Sequence, residues 1–430
     1  MKRWPQMKRW KVIAGLSVSA ALVAMTPAVA TASSLPKLVG KTRGVTLSFM
    51  IASSGPAETN ADKAAAVAWG KSTGNKVNLI NSSNLTLQLT EAFSGGTPPD
   101  VFYGETPMFE SLAKNAELLP SGSSVDPASD FYPSLVQAYT YNHTFYCVPK
   151  DSSTLAVEIN TDLWNAAGLT NADLPTTWAK LAYDAKVLTK AHVTGLVMGN
   201  SLDRLGAFFA EAGGSYMNKS DTGFAFNSPQ DVAALTYLQG LAKSGYLKFT
   251  PGDGIDAGWG GQAFGEGFAA MTIEGNWIIG AMQSDYPKIP YEVVPMPAGP
   301  TGKHGTLVFT NCWGIAASSK YTAAAVSFVK YLASPAQQLR FANAFGVMPS
   351  RPAVAQEWAK EHTTPVATGT ETPNVSAFVQ GDAYALPQVA TVGFATVETA
   401  FNNEIDGLAS ASPKQMLSSM QTNAEALLQP

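Results

Sequence analysis

The stretch Phe264 to Met282, FGEGFAAMTIEGNWIIGAM, admits few local structures. Its apolar centre, Phe268 to Ile273, is a short run bounded by glycine and has the length of a buried strand. Gly275 permits a tight turn out of that strand, and Asn276 is a good N-cap for the apolar periodic segment that follows. A strand passing straight into a helix through a polar turn is the unit of an α/β domain. Trp277 then falls in the first helical turn, beside amides that lack intrahelical partners. An indole beside such donors can receive a neutral polar ligand; packing is the competing role for it.

The same unit recurs along the chain. Gly44 to Ile51 reads as a strand, Ser53-Ser54-Gly55-Pro56 as a polar turn and Glu58 to Lys71 as a helix. Val77 to Ile80 and Asp100 to Gly104 are further strands, with a helix at Leu85 to Phe93 between them. A chain of 430 residues with this pattern makes two or three domains, or one large bilobal unit. Apolar residues make up 46% and charged residues 14%, enough to fill large cores. The formal charge is −4, and the first thirty residues contain Lys and Arg but no acid. The remainder is therefore more acidic still and has no basic stripe, which argues against a nucleic-acid partner.

The N-terminus reads as an export signal. A basic segment through Lys11 precedes the apolar run Val12 to Met25 and the small-residue site Ala28-Val29-Ala30, predicting a signal peptide over residues 1–30. No cysteine lies at the cleavage site, so a soluble, unlipidated protein outside the cytoplasmic membrane is expected. Residues 31–43, rich in Ser, Thr, Pro and Lys, read as a tether. Cys147 and Cys312 allow one disulfide in an oxidising compartment. They are distant in sequence, and the reading favours two small buried thiols over a bridge that needs the chain to return to one lobe.

Catalytic patterns are scarce. The four histidines show no metal-ligand spacing, and neither HExxH nor GxSxG occurs. No cofactor or metal is expected. Val148 to Asn160 reads as a strand interrupted by a polar loop, where a chain could cross between lobes. Thr306 to Ala317 reads as one strand holding Asn311-Cys312-Trp313-Gly314.

Four ordered blocks carry a family resemblance. They are Pro98-Pro99-Asp100-Val101; Val148-Pro149-x-Asp151-x-x-Thr154-Leu155 with Asn160, Asp162-Leu163, Ala167-Gly168-Leu169 and Pro175-x-Thr177-Trp178; Phe264-x-x-Gly267-x-Ala269-Ala270-Met271-x-x-x-Gly275-x-Trp277; and Pro295-x-Pro297-x-Gly299-x-x-Gly302 with Trp313-Gly314-Ile315, Ser318-Ser319-Lys320 and Ala324. The chain resembles the extracellular solute-binding proteins of sugar ABC importers, the maltose- and trehalose-binding relatives, over roughly residues 45–428. Two departures stand out: Ile159 where an aromatic usually precedes the asparagine, and Cys147 where a glycine often precedes Val-Pro.

The resemblance implies a bilobal, periplasmic-binding-protein-like (type II) α/β fold. Lobe one would hold residues 44–154 and 296–346, and lobe two residues 155–295 and 347–430. Crossovers would lie at Asp151–Asn160 and Tyr291–Pro297, with hinge closure on ligand. A sugar offers apolar faces and a hydroxyl rim, so a binder supplies aromatic platforms and polar acceptors. The resemblance implies Trp277 and Trp313 as platforms from opposite lobes and Asp151 as the main acceptor. Glu58, Glu105, Asn276, Asn311, Tyr103, Ser83 and Arg351 are further candidates. It implies a monomer that captures a di- or oligosaccharide and delivers it to an ABC permease without chemistry. The competing readings are a secreted carbohydrate-active enzyme working through Asp/Glu pairs, or the same fold holding a polyol or phosphodiester.

Overall fold

The computed structural model describes residues 35–53, 55–218, 223–362, 373–387 and 394–427. The expected signal peptide and the start of the tether lie outside the described residues. Among those described, no helix is long and apolar enough to cross a membrane.

Two large sheets organise the described residues. The first runs Lys76–Asn81, Thr46–Ile51, Val101–Glu105, Asn311–Ile315, Val148–Pro149. Its first three strands are parallel, joined by crossover helices such as Pro56–Thr73. That helix opens with Pro56, whose missing N–H costs nothing there, and closes at Gly74, whose φ of 75° a side chain would resist. Asn311–Ile315 runs antiparallel to both its neighbours, Val101–Glu105 and Val148–Pro149, and brings distant chain back to this sheet.

The second sheet runs Ala385–Pro387, Thr306–Phe309, Asp151–Asn160, Ala269–Gly275, Thr194–Gly199, Leu247–Thr250, with Tyr291–Pro295 and Met348–Pro349 also paired to its long central strand. Strand alternation divides that central strand between two cores. Leu155, Val157 and Ile159 join a cluster with Phe208, Phe209 and Leu235. Ala156 joins the opposite cluster with Phe264, Ile279 and Trp358. A third cluster, around Phe49, Trp69, Phe102 and Phe328, fills the first lobe.

Several expectations change here. The interruption expected within Val148–Asn160 is confined to Lys150, and Asp151–Asn160 beyond it is one uninterrupted, buried strand rather than part loop. Its polar start survives burial because it is partnered: Ser152 Oγ donates to Asp382 Oδ1 at 2.9 Å, and Thr154 Oγ1 donates to the Phe378 carbonyl at 2.7 Å. The chain passes between the sheets at Lys150 and again at Thr310, which splits the expected Thr306–Ala317 strand between the two sheets. It passes a third time between helix Pro335–Phe345 and the Met348–Pro349 strand. Tyr291–Pro295, expected to lead a crossover, stays within the second sheet. The strand Thr306–Phe309, expected in lobe one, also belongs to the second sheet.

Cys147 and Cys312 are joined in a disulfide, with Cα atoms 5.7 Å apart. The expectation of two thiols fails because Asn311–Ile315 returns to lie beside Val148–Pro149. Gly104 stands opposite Cys312 on the neighbouring strand, where a Cβ would come within 2.7 Å of the Cys312 sulfur. The glycine makes room for the bridge.

Candidate functional site

Lys150, Thr310 and Phe345 mark the passages between the sheets, and all three line one cavity of about 250 Å³. From the first lobe come Ala52 and Ser53, at the end of strand Thr46–Ile51, and Glu58, in the first turn of the helix that follows. From the second come Ser153 and the Asn276-Trp277 turn after Ala269–Gly275.

One wall is a buried charge network running from Glu58 of the first lobe through the Lys150 passage to Asp151, the first residue of the second sheet's central strand. Lys150 Nζ contacts Asp151 Oδ2 and lies 3.2 Å from Glu58 Oε1. Burial alone would favour the neutral amine, but the adjacent Asp151 and Glu58 carboxylates outweigh it and hold Lys150 above its usual range. Asp151 Oδ1 accepts the Asn311 amide at 3.0 Å, which ties two passages together. Beneath them the Tyr103 hydroxyl lies 2.8 Å from Glu58 Oε1 and 2.6 Å from Asp62 Oδ2. A phenol has one proton for those two oxygens, so one contact calls for a proton on a carboxyl. Burial pushes Asp62 up to about 7, which makes it the group to carry that proton.

The second-lobe wall is aromatic. The half-buried Trp277 ring is fixed on three counts. Its Nε1 donates to Glu274 Oε2 at 2.9 Å, the Arg204 guanidinium lies 5.1 Å from its ring centre, and Phe309 meets it edge-on at 5.4 Å. Arg204 pairs with the same Glu274 oxygen at 2.6 Å, so the indole's partner is itself held. Asn276 is fully buried; its amide donates to the Gly346 carbonyl at 3.1 Å, while its Oδ1 has no protein partner. It is not the expected side-chain cap, because the helix starts at Ile278 with Trp277 at the cap position. A ring pinned in orientation opposite carboxylate and amide oxygens is a surface for a molecule with an apolar face and a hydroxyl rim.

The sequence profile of the family described as bacterial extracellular solute-binding protein matches residues 64–385. The chain belongs to that family. Comparison with curated proteins gave no match. Among solved structures, this solute-binding protein is similar to the GacH receptor of Streptomyces glaucescens GLA.O, solved unliganded and with acarbose (22% identity, 89% of this chain and 98% of that one, TM-score 0.74). It is also similar to the ABC substrate-binding protein Lmo0181 from Listeria monocytogenes in complex with cycloalternan (20% identity, 89% and 98%, TM-score 0.76). A third is the cyclic alpha-maltosyl-1,6-maltose binding protein from Arthrobacter globiformis (21% identity, 89% and 98%, TM-score 0.76). At these identities the likeness establishes the bilobal α/β fold.

The cavity gathers Glu58, Asp151, Asn276, Trp277 and Asn311 from the residues nominated by sequence. Trp313 is a correction. It is fully buried in the first-lobe core, with rings of Tyr103 at 5.2 Å, Phe49 at 5.8 Å and Phe341 at 6.1 Å, and offers no face to a ligand. By strand alternation it shares a face with the cavity-lining Asn311, but it sits two residues deeper in the strand, where those rings cover it. Tyr103 lies under the wall rather than in it. Arg351 is corrected as well. Its guanidinium pairs with Asp126 at 2.6 Å and Asp130 at 2.9 Å, and its Nε donates to the Ala333 carbonyl, a structural clamp outside the cavity. Glu105 instead accepts the Thr86 hydroxyl at 2.7 Å, and Ser83 sits exposed; neither lines the cavity. Sequence reading missed Lys150, Phe309, Thr310 and Phe345. The one available signal was a lysine directly between the apolar Cys147-Val148-Pro149 and the nominated Asp151.

Burial leaves a second signature. Asp62, Asp184 and Asp382 are pushed up to about 7, Asp231 to about 6 and Glu398 to about 8, burial being the largest cause each time. Each carboxyl is held above its unfolded value, so the folded chain keeps protons that the unfolded chain has released. The stability they contribute is fully present below about pH 4 and is lost as pH rises through 6–8. His362, held low by burial, works in the opposite sense. The melting temperature at pH 5 should exceed that at pH 8 by about 2–4 °C or more. Scanning calorimetry across that range checks this, and equal or lower stability at pH 5 would contradict it.

Proposed function

We propose that this solute-binding protein captures a neutral di- or oligosaccharide in the interlobe cleft and hands it, unaltered, to an ABC permease. The observation that carries the reading is the pinned Trp277 ring facing Asp151, Asn311 and Glu58 across a cavity built where the chain passes between lobes. The ring would stack on a sugar face while the acceptors meet the hydroxyl rim. The neighbouring structures described as holding cycloalternan, or named for binding cyclic maltosyl-maltose, support a saccharide as the solute. Because Glu58 and Trp277 belong to different lobes, ligand contacting both favours the closed state over the open one. The protein acts as an exported monomer, and the closed form is what the permease reads.

Titration calorimetry against mono- to hexasaccharides tests the proposal. Saturable binding with the sugar recovered intact is expected; hydrolysed product would favour the enzyme reading. Trp277→Ala should weaken binding by about 1–3 kcal/mol, or about five- to 150-fold, at unchanged fold. Undiminished affinity with a lowered melting temperature would assign Trp277 to packing.

A further inference from the structure

A larger chamber of about 760 Å³, called the outer chamber, adjoins the cavity, and the two share Glu58, Trp277 and Phe345 as lining. The inner space is smaller than most small-molecule sites, whereas the outer one lies within their usual range. A second tryptophan, Trp259, lines only the outer chamber.

Trp259 is built into place. It occupies the cap position of helix Gly260–Gly265 and packs against the cluster containing Ile279 and Met282. A side chain at Gly261 would collide with its ring, so that glycine gives the indole its seat. The ring stays half-buried. Beyond it the floor is smooth: Gly280 and Ala281 keep side-chain bulk out of the chamber. A Cβ at Gly280 would meet only the Phe345 carbonyl, at an ordinary 3.7 Å. Polar groups stand at the margins, with Glu58 on one side and Ser284 and Asp285 on the other.

We infer that the outer chamber is a second saccharide subsite with Trp259 as its platform, and that the solute is an oligosaccharide extending past Trp277. This rests on the sugar reading above. One aromatic platform in a 250 Å³ space serves the end of a chain; a second platform in an adjoining chamber has a use only if the chain continues. The apolar floor suits sugar faces, and the marginal carboxylates disfavour acidic sugars.

The test uses the full-length protein titrated with α- and β-linked glucose oligomers of two to six units. Four proteins are compared: wild type, W259A, W259F and G280F. The last fills the chamber from a position with open space above it. Wild-type affinity should rise with chain length. W259A and G280F should lose about tenfold or more for four- to six-unit sugars and less than about threefold for disaccharides, while W259F keeps most long-chain affinity. Melting curves without sugar report any fold defect separately, and retained disaccharide binding confirms an intact inner site. Equal losses at every length, or no loss with long sugars, would overturn the subsite while leaving the sugar reading in place. A wild type that binds no saccharide would remove both.

Discussion

Replacing Cys147 and Cys312 together with alanine should lower stability by about 2–5 kcal/mol, the upper end being set by the loop the bridge closes. The two residues are 165 positions apart, so the reduced unfolded chain gains much conformational freedom that the oxidised chain lacks. Alanine is the informative substitution because both sites are fully buried and a serine hydroxyl there would seek a partner. The effect should reach the cleft. Cys147 lies just before Lys150, and Cys312 just after Asn311, so the bridge ties together strands that enter two passages between the lobes. Urea unfolding of the oxidised protein and the double variant measures the difference. A loss below about 1 kcal/mol would mean that strand pairing alone holds the two passages together.

The second large effect is expected from Lys150→Ala, at about 3–5 kcal/mol. Lys150 is buried between Glu58 and Asp151, with Asp62 behind them. Removing the ammonium leaves carboxylates close together without their counter-charge, and burial makes that costly. The direction of its pH dependence identifies the cause. Acid should restore much of the lost stability as the carboxyls take up protons, so the variant should gain more than wild type between pH 8 and pH 5. Adding Glu58→Gln should recover part of the loss, because it removes one unpaired charge. Denaturation midpoints for wild type and both variants, each at two pH values, decide it. A loss independent of pH would point to side-chain packing, since Lys150 Nζ also lies 4.8 Å from the Tyr103 ring centre and 5.6 Å from that of Phe345.

The two tryptophans paired by sequence reasoning show where such reasoning stops. Trp277 sits after a glycine turn that any strand-to-helix connection exposes, so its place at a cleft followed from local chemistry. Trp313 stands in a strand, and a strand exposes or buries a residue according to which face its sheet covers. That face is covered by Phe49, Tyr103 and Phe341, residues distant in sequence. Arg351 was misplaced for the same reason: its partners Asp126 and Asp130 lie more than two hundred positions away.

The sequence by itself determined the α/β units, the apolar runs that become sheet, the glycine turn that carries Asn276 and Trp277, and the four motif blocks of a solute-binding protein. These depend on residues near one another, whose periodicity and turn chemistry act locally. Only the tertiary structure decided where the chain changes sheets, that Cys147 meets Cys312, and that Lys150 is locked between Glu58 and Asp151. It alone set Trp259 beside Trp277 along one cleft. Those outcomes depend on which strands pair across the long connections, and no local pattern encodes a register between strands brought together by packing.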